Sequence, residues 1–267
     1  MSSAYLLAGQ ASELERLQLQ SRVWEPCGAA LLERIDLPAG ATAVDVGCGA
    51  MGWLRVLSRK LGPAGNVIGT DVDDRMLHAA ADFVQAEQLT NVTLQKDDLF
   101  ASQLPSAAFD LVHARFQLAP LGRPAQQLDT YCRLLKPGGW LVLEEPDAGS
   151  WRIQPRADAA QELIALLLKA FEAGGGDFDA GRHLPDWIRQ RGLEPRMHAV
   201  VLALEPGHPY LRLPLQFATA LRPRLEKLSD PARLDALLQA CEAEAARAGA
   251  WGLTFTLVQA WAQQRAP

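Results

Sequence analysis

Gly47, Gly49 and Gly52 stand in G-x-G-x-x-G spacing within VDVGCGAMGW (44–53), and acids punctuate the chain around them: Asp45, Asp71 and the pair Asp97-Asp98. In a strand–loop–helix unit the first glycine permits a tight turn, the second lets backbone approach a ligand, and the third lets helix pack closely on strand. The helix N-terminus then offers free N–H groups. Such a loop by itself fits a dinucleotide, another nucleotide-like ligand or a plain structural turn. Asp45 narrows the choice. A carboxylate beside a pyrophosphate faces like charge, whereas near a cationic ligand, or ordering the loop and an ammonium through hydrogen bonds, it is favourable. Asp71 closes the next predicted strand, where an acid can accept both hydroxyls of a ribose; the alternative is a cap for the helix starting near Asp73-Asp74. Asp97 and Asp98 precede Leu99-Phe100. A carboxylate there can accept from an exocyclic amine while the next backbone N–H donates to a ring nitrogen; otherwise both are exposed loop acids.

The elements that position these residues follow from periodicity. Residues 12–24 form an amphipathic pattern that predicts a helix, and a second helix is expected from Pro26 to about residue 36. Strands are predicted at 41–46, 66–70, 92–95, 109–114 and 140–144, with helices at 51–60, 74–87 and 124–135. Strands alternating with helices of this length imply βαβ units and a parallel sheet. Beyond Pro146 come an apolar helix (157–172), the breaker GGG (174–176), a helix (184–191), a strand (193–204), a mostly helical stretch (207–250) and a last strand (254–261). The stretch 207–250 interrupts what would be a hairpin, and reads as an insertion that covers something. The resulting organisation is a helical cap over 1–38, a core over 39–146, a lid over 147–182, core again over 183–206, a lid insertion over 207–250, and a final core strand in 251–267.

The 267 residues, 49% hydrophobic and 21% charged, suit one large α/β domain with elaborations. Net charge is −5 and the basic residues are scattered, so no nucleic-acid partner is expected. The N-terminal residues lack the pattern of a signal peptide, and no apolar run approaches the roughly 18–20 residues of a membrane span. Four cysteines without C-x-x-C spacing read as reduced thiols of a cytoplasmic protein, and five histidines without ligand spacing give no metal site. A homodimer is expected on general frequency.

The segments VDVGCGAMG, IGTDVDDRML, LQKDDLF, FDLVHARF and LKPGGWLVLEE, in this order, resemble the class I S-adenosylmethionine-dependent methyltransferases of the small-molecule and natural-product type. The resemblance covers about residues 40–146 and continues through 183–204 and 254–261. It implies an α/β, Rossmann-like, doubly wound seven-stranded sheet, mostly parallel with its last strand antiparallel, carrying a helical cap and helical lids. It implies S-adenosyl-L-methionine as cofactor and S-adenosyl-L-homocysteine as product. Asp45, Gly47, Cys48 and Gly49 would serve the methionine part, Asp71 the ribose diol, and Val72 and Met76 the adenine faces. Asp97, Asp98 and Leu99 would frame the adenine edge. The lysine of KDD replaces the glycine common before the acid, which leaves open whether Asp97 or Asp98 meets the base. Ala114 and Arg115 would lie beside the methionine moiety. Tyr5, Arg16, Gln20 and Trp24 would belong to a cap that closes over the cofactor.

A sulfonium methyl is already electrophilic, so alignment of donor and acceptor and exclusion of water can remove much of the barrier; a general base is optional. Glu144 and Glu145 end the fifth strand and alternation turns them to opposite sides. Glu145 is the base candidate chosen, with His113 as a second; a satisfied core histidine is the plainer reading of the latter. Asp147, Trp151, Phe171, His183, Tyr210 and Phe217 in the covering segments are the acceptor-side candidates. Their apolar, aromatic character predicts a small, hydrophobic acceptor methylated at oxygen, nitrogen or carbon, in secondary metabolism. Two other readings stay open on these residues: a protein of this fold that binds the cofactor without transferring methyl, and an NAD(P)-dependent oxidoreductase sharing the glycine spacing. Methylation of RNA would want a basic surface that the charge does not supply.

Overall fold

The computed structural model describes residues 11–265. In chain order the elements are α1 (Ala11–Leu32), β1 (Thr42–Val46), α2 (Leu54–Leu61), β2 (Asn66–Asp71), α3 (Asp74–Ala86), β3 (Val92–Lys96), β4 (Phe109–Arg115), α4 (Leu118–Leu121), α5 (Pro124–Leu134), β5 (Leu135–Asp147), β6 (Arg152–Gln154), α6 (Asp158–Ala173), α7 (Leu184–Arg189), β7 (Arg196–Val200), β8 (Ala203–Leu204), α8 (Leu213–Leu225), α9 (Pro231–Ala246), β9 (Trp251–Leu253) and β10 (Thr256–Gln263). Seven strands make one sheet in the order β3-β2-β1-β4-β5-β10-β7. β10 runs antiparallel to both of its neighbours and the remaining pairs are parallel. Ala43 and Val44 of β1 and Leu111 and Val112 of β4 are all fully buried, as expected where helices cover both faces of a parallel sheet.

Register decides which side chains share a face. Asp45 pairs with His113, Arg115 with Glu144, and Glu144 with Gln259. These five therefore lie on one face, the one covered by α1 and α2, while Glu145 turns to the face of α4 and α5. Leu31, Trp53, Leu54 and Trp261 belong to the core of the first face; Leu128, Tyr131 and Ile188 belong to that of the second. A third core lies in the lid. There α6 packs on both α8 and α9, around Trp24, Trp151, Phe171, Phe178, Phe217 and Phe255. The two expected lid segments thus share one layer.

Three expectations about elements are corrected. The N-terminal helix does not break at Pro26 but continues through it as one element. An interior proline costs about 3 kcal/mol; here Trp24 is anchored in the lid core and Leu31 and Leu32 in the sheet core, so both halves are held in line. The strand expected over 193–204 is two. β7 stays in the main sheet, and the chain leaves it where Leu202 and Thr254 exchange hydrogen bonds. β8 then joins β6 and β9 in a small second sheet, in the order β6-β9-β8. The last strand, expected over 254–261, is β10 and starts only at Thr256; β9 is a separate short strand before it, and Phe255 lies between the two. No described helix is long and apolar enough to cross a membrane.

Candidate cofactor and acceptor site

The glycine loop joins β1 to α2 at the carboxyl edge of the sheet. Gly47, Gly49 and Gly52 all have positive φ (67°, 56° and 42°), where a side chain is strained. Their surroundings differ. A Cβ on Gly47 would fall 2.3 Å from the Gln117 amide nitrogen and one on Gly52 would fall 2.1 Å from Asp45 Oδ2, whereas one on Gly49 would meet nothing within 4 Å. The loop is packed from below at its two ends and open above its middle. Cys48 is pinned through its N–H to the Thr70 carbonyl at 2.7 Å. Its thiol is buried against the α1–α2 core and lies 3.4 Å from the Gly49 carbonyl, and burial pushes its pKa well up.

Asp45 also lies beneath the loop rather than in the ligand space. It is 1% exposed. Its Oδ2 accepts the Trp53 N–H at 2.6 Å, fixing the loop to the start of α2, and its Oδ1 lies 2.7 Å from His113 Nδ1. At the end of β2, Asp71 accepts the N–H of Gly49 (3.0 Å) and of Asp73 (2.9 Å). Burial lifts its pKa above the ordinary value, against the backbone N–H groups that favour the anion. Val72 beside it is 56% exposed, an apolar side chain left facing out, and Met76 is half-buried. The Asp97 N–H donates to the Asp71 carbonyl, which brings the third strand's end to the same edge. Asp97 is buried and accepts the Gln103 N–H at 2.8 Å; Asp98 is exposed and caps the short turn Leu99–Ala101 through the Phe100 N–H. Leu99 is buried in the core beside them.

At the end of β4, Ala114 is buried on the far face, so its side chain takes no part. Arg115 donates Nη2 to Ser21 Oγ at 3.2 Å and holds Nη1 3.7 Å from Glu144 Oε2; that Nη1 is buried without a hydrogen-bond acceptor. On α1, Arg16 forks onto Glu13 (2.7 and 2.9 Å), donates to Gln20 Oε1 at 2.9 Å and stacks 4.6 Å from the Phe217 ring centre. Trp24 is fully buried and donates Nε1 to Tyr210 Oη at 3.1 Å. It is a strut between α1 and the lid, not an exposed contact. Tyr5 lies outside the described residues.

Neither candidate base is free. Glu145 accepts the N–H groups of Gln117, Leu118 and Ala119 at 2.8–3.0 Å, capping α4, and burial pushes its pKa up to about 8. His113 is fully buried between Asp45 and Glu144. Glu144 instead sits on the loop's side of the sheet, accepting from Trp53 Nε1 (2.9 Å) and Gln259 Nε2 (2.6 Å).

Of the acceptor-side candidates, Trp151, Phe171, Tyr210 and Phe217 are each at most 5% exposed and interlock in the lid core. Asp147 pairs with Arg182 and caps Gly149, and His183 is on the surface near Asp177 and Trp187. These two are tied up in local contacts outside the aromatic cluster. Sequence reasoning missed Phe255, whose ring lies 5.3–6.5 Å from those of Trp24, Phe116, Trp151, Phe178 and Tyr210. It also missed Phe116, which follows Arg115 with φ +55°, a strained conformation for an aromatic residue that points to a functional constraint.

Open backbone above Gly49, an acid at the end of β2 and an unsatisfied guanidinium donor at the end of β4 fit a ligand carrying a ribose and an amino-acid carboxylate. Buried donors without acceptors are rare and costly. Residues 37–184, more than half of the chain, match the family described as "Methyltransferase domain". The chain is 35% identical to a demethylmenaquinone methyltransferase of Shouchella clausii over 163 residues, 61% of this chain and 67% of that one. It is 29% identical to a nocamycin O-methyltransferase of Saccharothrix syringae over 147 residues, 53% of this chain and 52% of that one. The chain thus spans from half to two thirds of these relatives. In fold it is similar to a SAM dependent methyltransferase from Aquifex aeolicus, with a TM-score of 0.56 and 18% identity over 96% of this chain and 100% of that one. Loop, strand order and family match agree, and the chain belongs to the class I S-adenosylmethionine-dependent methyltransferases.

Proposed function

We propose that the chain moves the methyl group of S-adenosylmethionine to a small, largely apolar acceptor at an oxygen, nitrogen or carbon nucleophile. The observation that carries this is the aromatic lid: Trp151, Phe178, Phe217 and Phe255 form a continuous edge-to-face and stacked set, joined to the sheet edge by Phe116. These rings are buried against one another, so they act as the dry, apolar backing of the lid rather than as an open wall. The cofactor, when bound, supplies a methyl on a cationic sulfur. Asp71 would hold the ribose, the backbone at Gly49 would lie along the amino-acid part, and Arg115 Nη1 would donate to its carboxylate. Glu144 and Glu145 are engaged in structural hydrogen bonds, so in this reading rate enhancement comes from alignment and exclusion of water, with the acceptor supplying its own acidic or nucleophilic centre. Relatives named for demethylmenaquinone and nocamycin support a small-molecule acceptor, and a place in secondary metabolism is part of the same proposal.

The test is transfer of labelled methyl to a panel of phenols, quinols and enolisable ketones, beside matched hydrophilic acceptors. Label should enter an apolar member. Preference for the hydrophilic set would overturn the acceptor class; tight S-adenosylhomocysteine binding with no label in any acceptor would favour a protein that binds the cofactor without transfer.

A further inference from the structure

Beneath the glycine loop four residues close a ring of hydrogen bonds. His113 Nδ1 meets Asp45 Oδ1 at 2.7 Å; Asp45 Oδ2 accepts the Trp53 N–H at 2.6 Å; Trp53 Nε1 donates to Glu144 Oε2 at 2.9 Å; and Glu144 Oε2 lies 3.4 Å from His113 Nε2. The Trp53 indole also stacks on the imidazole, centroids 3.8 Å apart and planes 13° apart. His113, Trp53 and Glu144 are fully buried and Asp45 is 1% exposed. Trp53 is the residue at which the glycine loop becomes α2, so the ring fastens the loop to β1, β4 and β5 together.

We propose that His113 stands as a buried imidazolium that ties Asp45 to Glu144 and so holds the glycine loop in its cofactor-binding shape, as a positioning residue. The inference rests on the reading of that loop as the cofactor site. A neutral imidazole carries one N–H, and would turn a lone pair toward one of the two carboxylates. The imidazolium donates to both. Charge points the same way: Asp45 and Glu144 are balanced by His113 and by Arg115, whose Nη1 is 3.7 Å from Glu144. Of the other titratable groups, Glu145 on the opposite face acts on Glu144 only through charge and ionises at about 8, and Cys48 beside Asp45 is kept a thiol by burial. Cys27 on α1 is kept a thiol as burial, and then Glu144, raise its pKa; Gln259 on β10 donates to Glu144 Oε1. Burial pushes the His113 pKa down, but Asp45 and Glu144 outweigh it and leave the group above its ordinary value. Glu144 is held low in turn: burial raises it, and the His113 hydrogen bond with the Arg115 charge overcomes that.

Because the folded-state value is raised, the clamp is complete at low pH and is lost as pH rises through it. Nitrogen-15 spectra of the histidine-labelled full chain, followed as pH rises, should show both His113 ring nitrogens keeping their protons to higher pH than the exposed histidines do. Calorimetry with S-adenosylhomocysteine should show wild-type affinity falling by about tenfold from pH 7 to the far side of that titration. His113→Gln should bind about tenfold more weakly than wild type at pH 7 and with a markedly shallower slope, any remainder being that of Glu145, and Asp71→Asn should bind weakly while keeping the full slope. A neutral His113 tautomer at a pH where the exposed histidines are still protonated, or a His113→Gln slope as steep as that of wild type, would overturn the inference alone. Absence of binding at every pH would overturn the cofactor reading and this inference with it. Where His113→Gln does not fold, the wild-type spectrum decides.

Discussion

Glu144 and Glu145 differ by one position and by the whole thickness of the sheet. Glu144 is drawn into the ring beneath the loop; Glu145 accepts three N–H groups at the start of α4. Its carboxyl titrates at about 8 against an ordinary 4.5, so the folded chain binds that proton more tightly than the unfolded one. The associated stability is whole below the ordinary value and is lost as pH rises through about 8. Glutamine has the shape of the protonated acid and no titration, but its NH2 faces one N–H group that a carboxyl oxygen accepts. The urea midpoint of Glu145→Gln should lie below that of wild type near pH 5, and the variant should gain on wild type by on the order of 4 kcal/mol by pH 9; a gap constant with pH contradicts this. At Gly49, where φ is +56° and the space above is open, alanine should cost about 1–2 kcal/mol of stability through backbone strain. Its methyl stands in the ligand space, so S-adenosylhomocysteine affinity should fall more than tenfold, about 1.4 kcal/mol or more. Equal affinity in the two proteins would remove Gly49 from the site. Glycine spacing was readable because only a backbone with positive φ demands it. The placement of Asp45 was not: an acid in an apolar strand reads as facing a ligand until the register shows His113 beside it.

At the scale of elements, α1 is the piece whose meaning depends on contacts far away in sequence. Its pattern showed an amphipathic helix and its proline suggested a break. What overrides the break is burial at both ends: Trp24 in a core with Trp151, Tyr210 and Phe255, Leu31 and Leu32 in one with Trp53, Leu54 and Trp261. The alternation of strands and helices, by contrast, is a local signal, and the parallel sheet follows from it. So does the opposition of Glu144 to Glu145, though which of them meets the loop is settled only by the helices on each face. Gly28 marks the crossing of α1 over α2. A Cβ there would lie 2.7 Å from Trp53 Nε1 and 2.8 Å from its ring carbon. Alanine normally favours a helix over glycine by about 0.5–1 kcal/mol. Here it would press on a rigid indole that is itself hydrogen-bonded to Glu144, and overpacking of this kind costs about 1–3 kcal/mol. Gly28→Ala should therefore lower the urea midpoint and, by displacing Trp53 at the loop's end, weaken S-adenosylhomocysteine binding. A stabilised variant with unchanged affinity would show that α1 yields freely at this point.

Across the whole molecule, the two cores of the sheet and the core of the lid are separate clusters, and α1 contributes to the lid through Trp24 and to the sheet through Leu31 and Leu32. The small sheet β6-β9-β8 and the strand break at Phe255 make the second seam. Phe255 fills the centre of the lid core at 1% exposure, although its chain neighbours belong to strands of two sheets. It was illegible as a lid residue because local pattern assigns it to the last strand. Truncating a buried phenylalanine costs about 3–5 kcal/mol. The lid core is not continuous with the sheet cores, so the loss should be felt mainly as easier opening of the lid. In Phe255→Ala, hydrogen exchange at amides of α6, α8 and α9 should accelerate strongly, while amides of β1, β4 and β5 keep most of their protection. Asp71 and the glycine loop stay on the sheet, so S-adenosylhomocysteine affinity should change by less than about threefold, below roughly 0.7 kcal/mol. The Michaelis constant for an apolar acceptor should rise well beyond that. Uniform acceleration across sheet and lid would mean that the two unfold as one unit, and an equal loss of cofactor and acceptor binding would mean that the aromatic wall serves the cofactor itself.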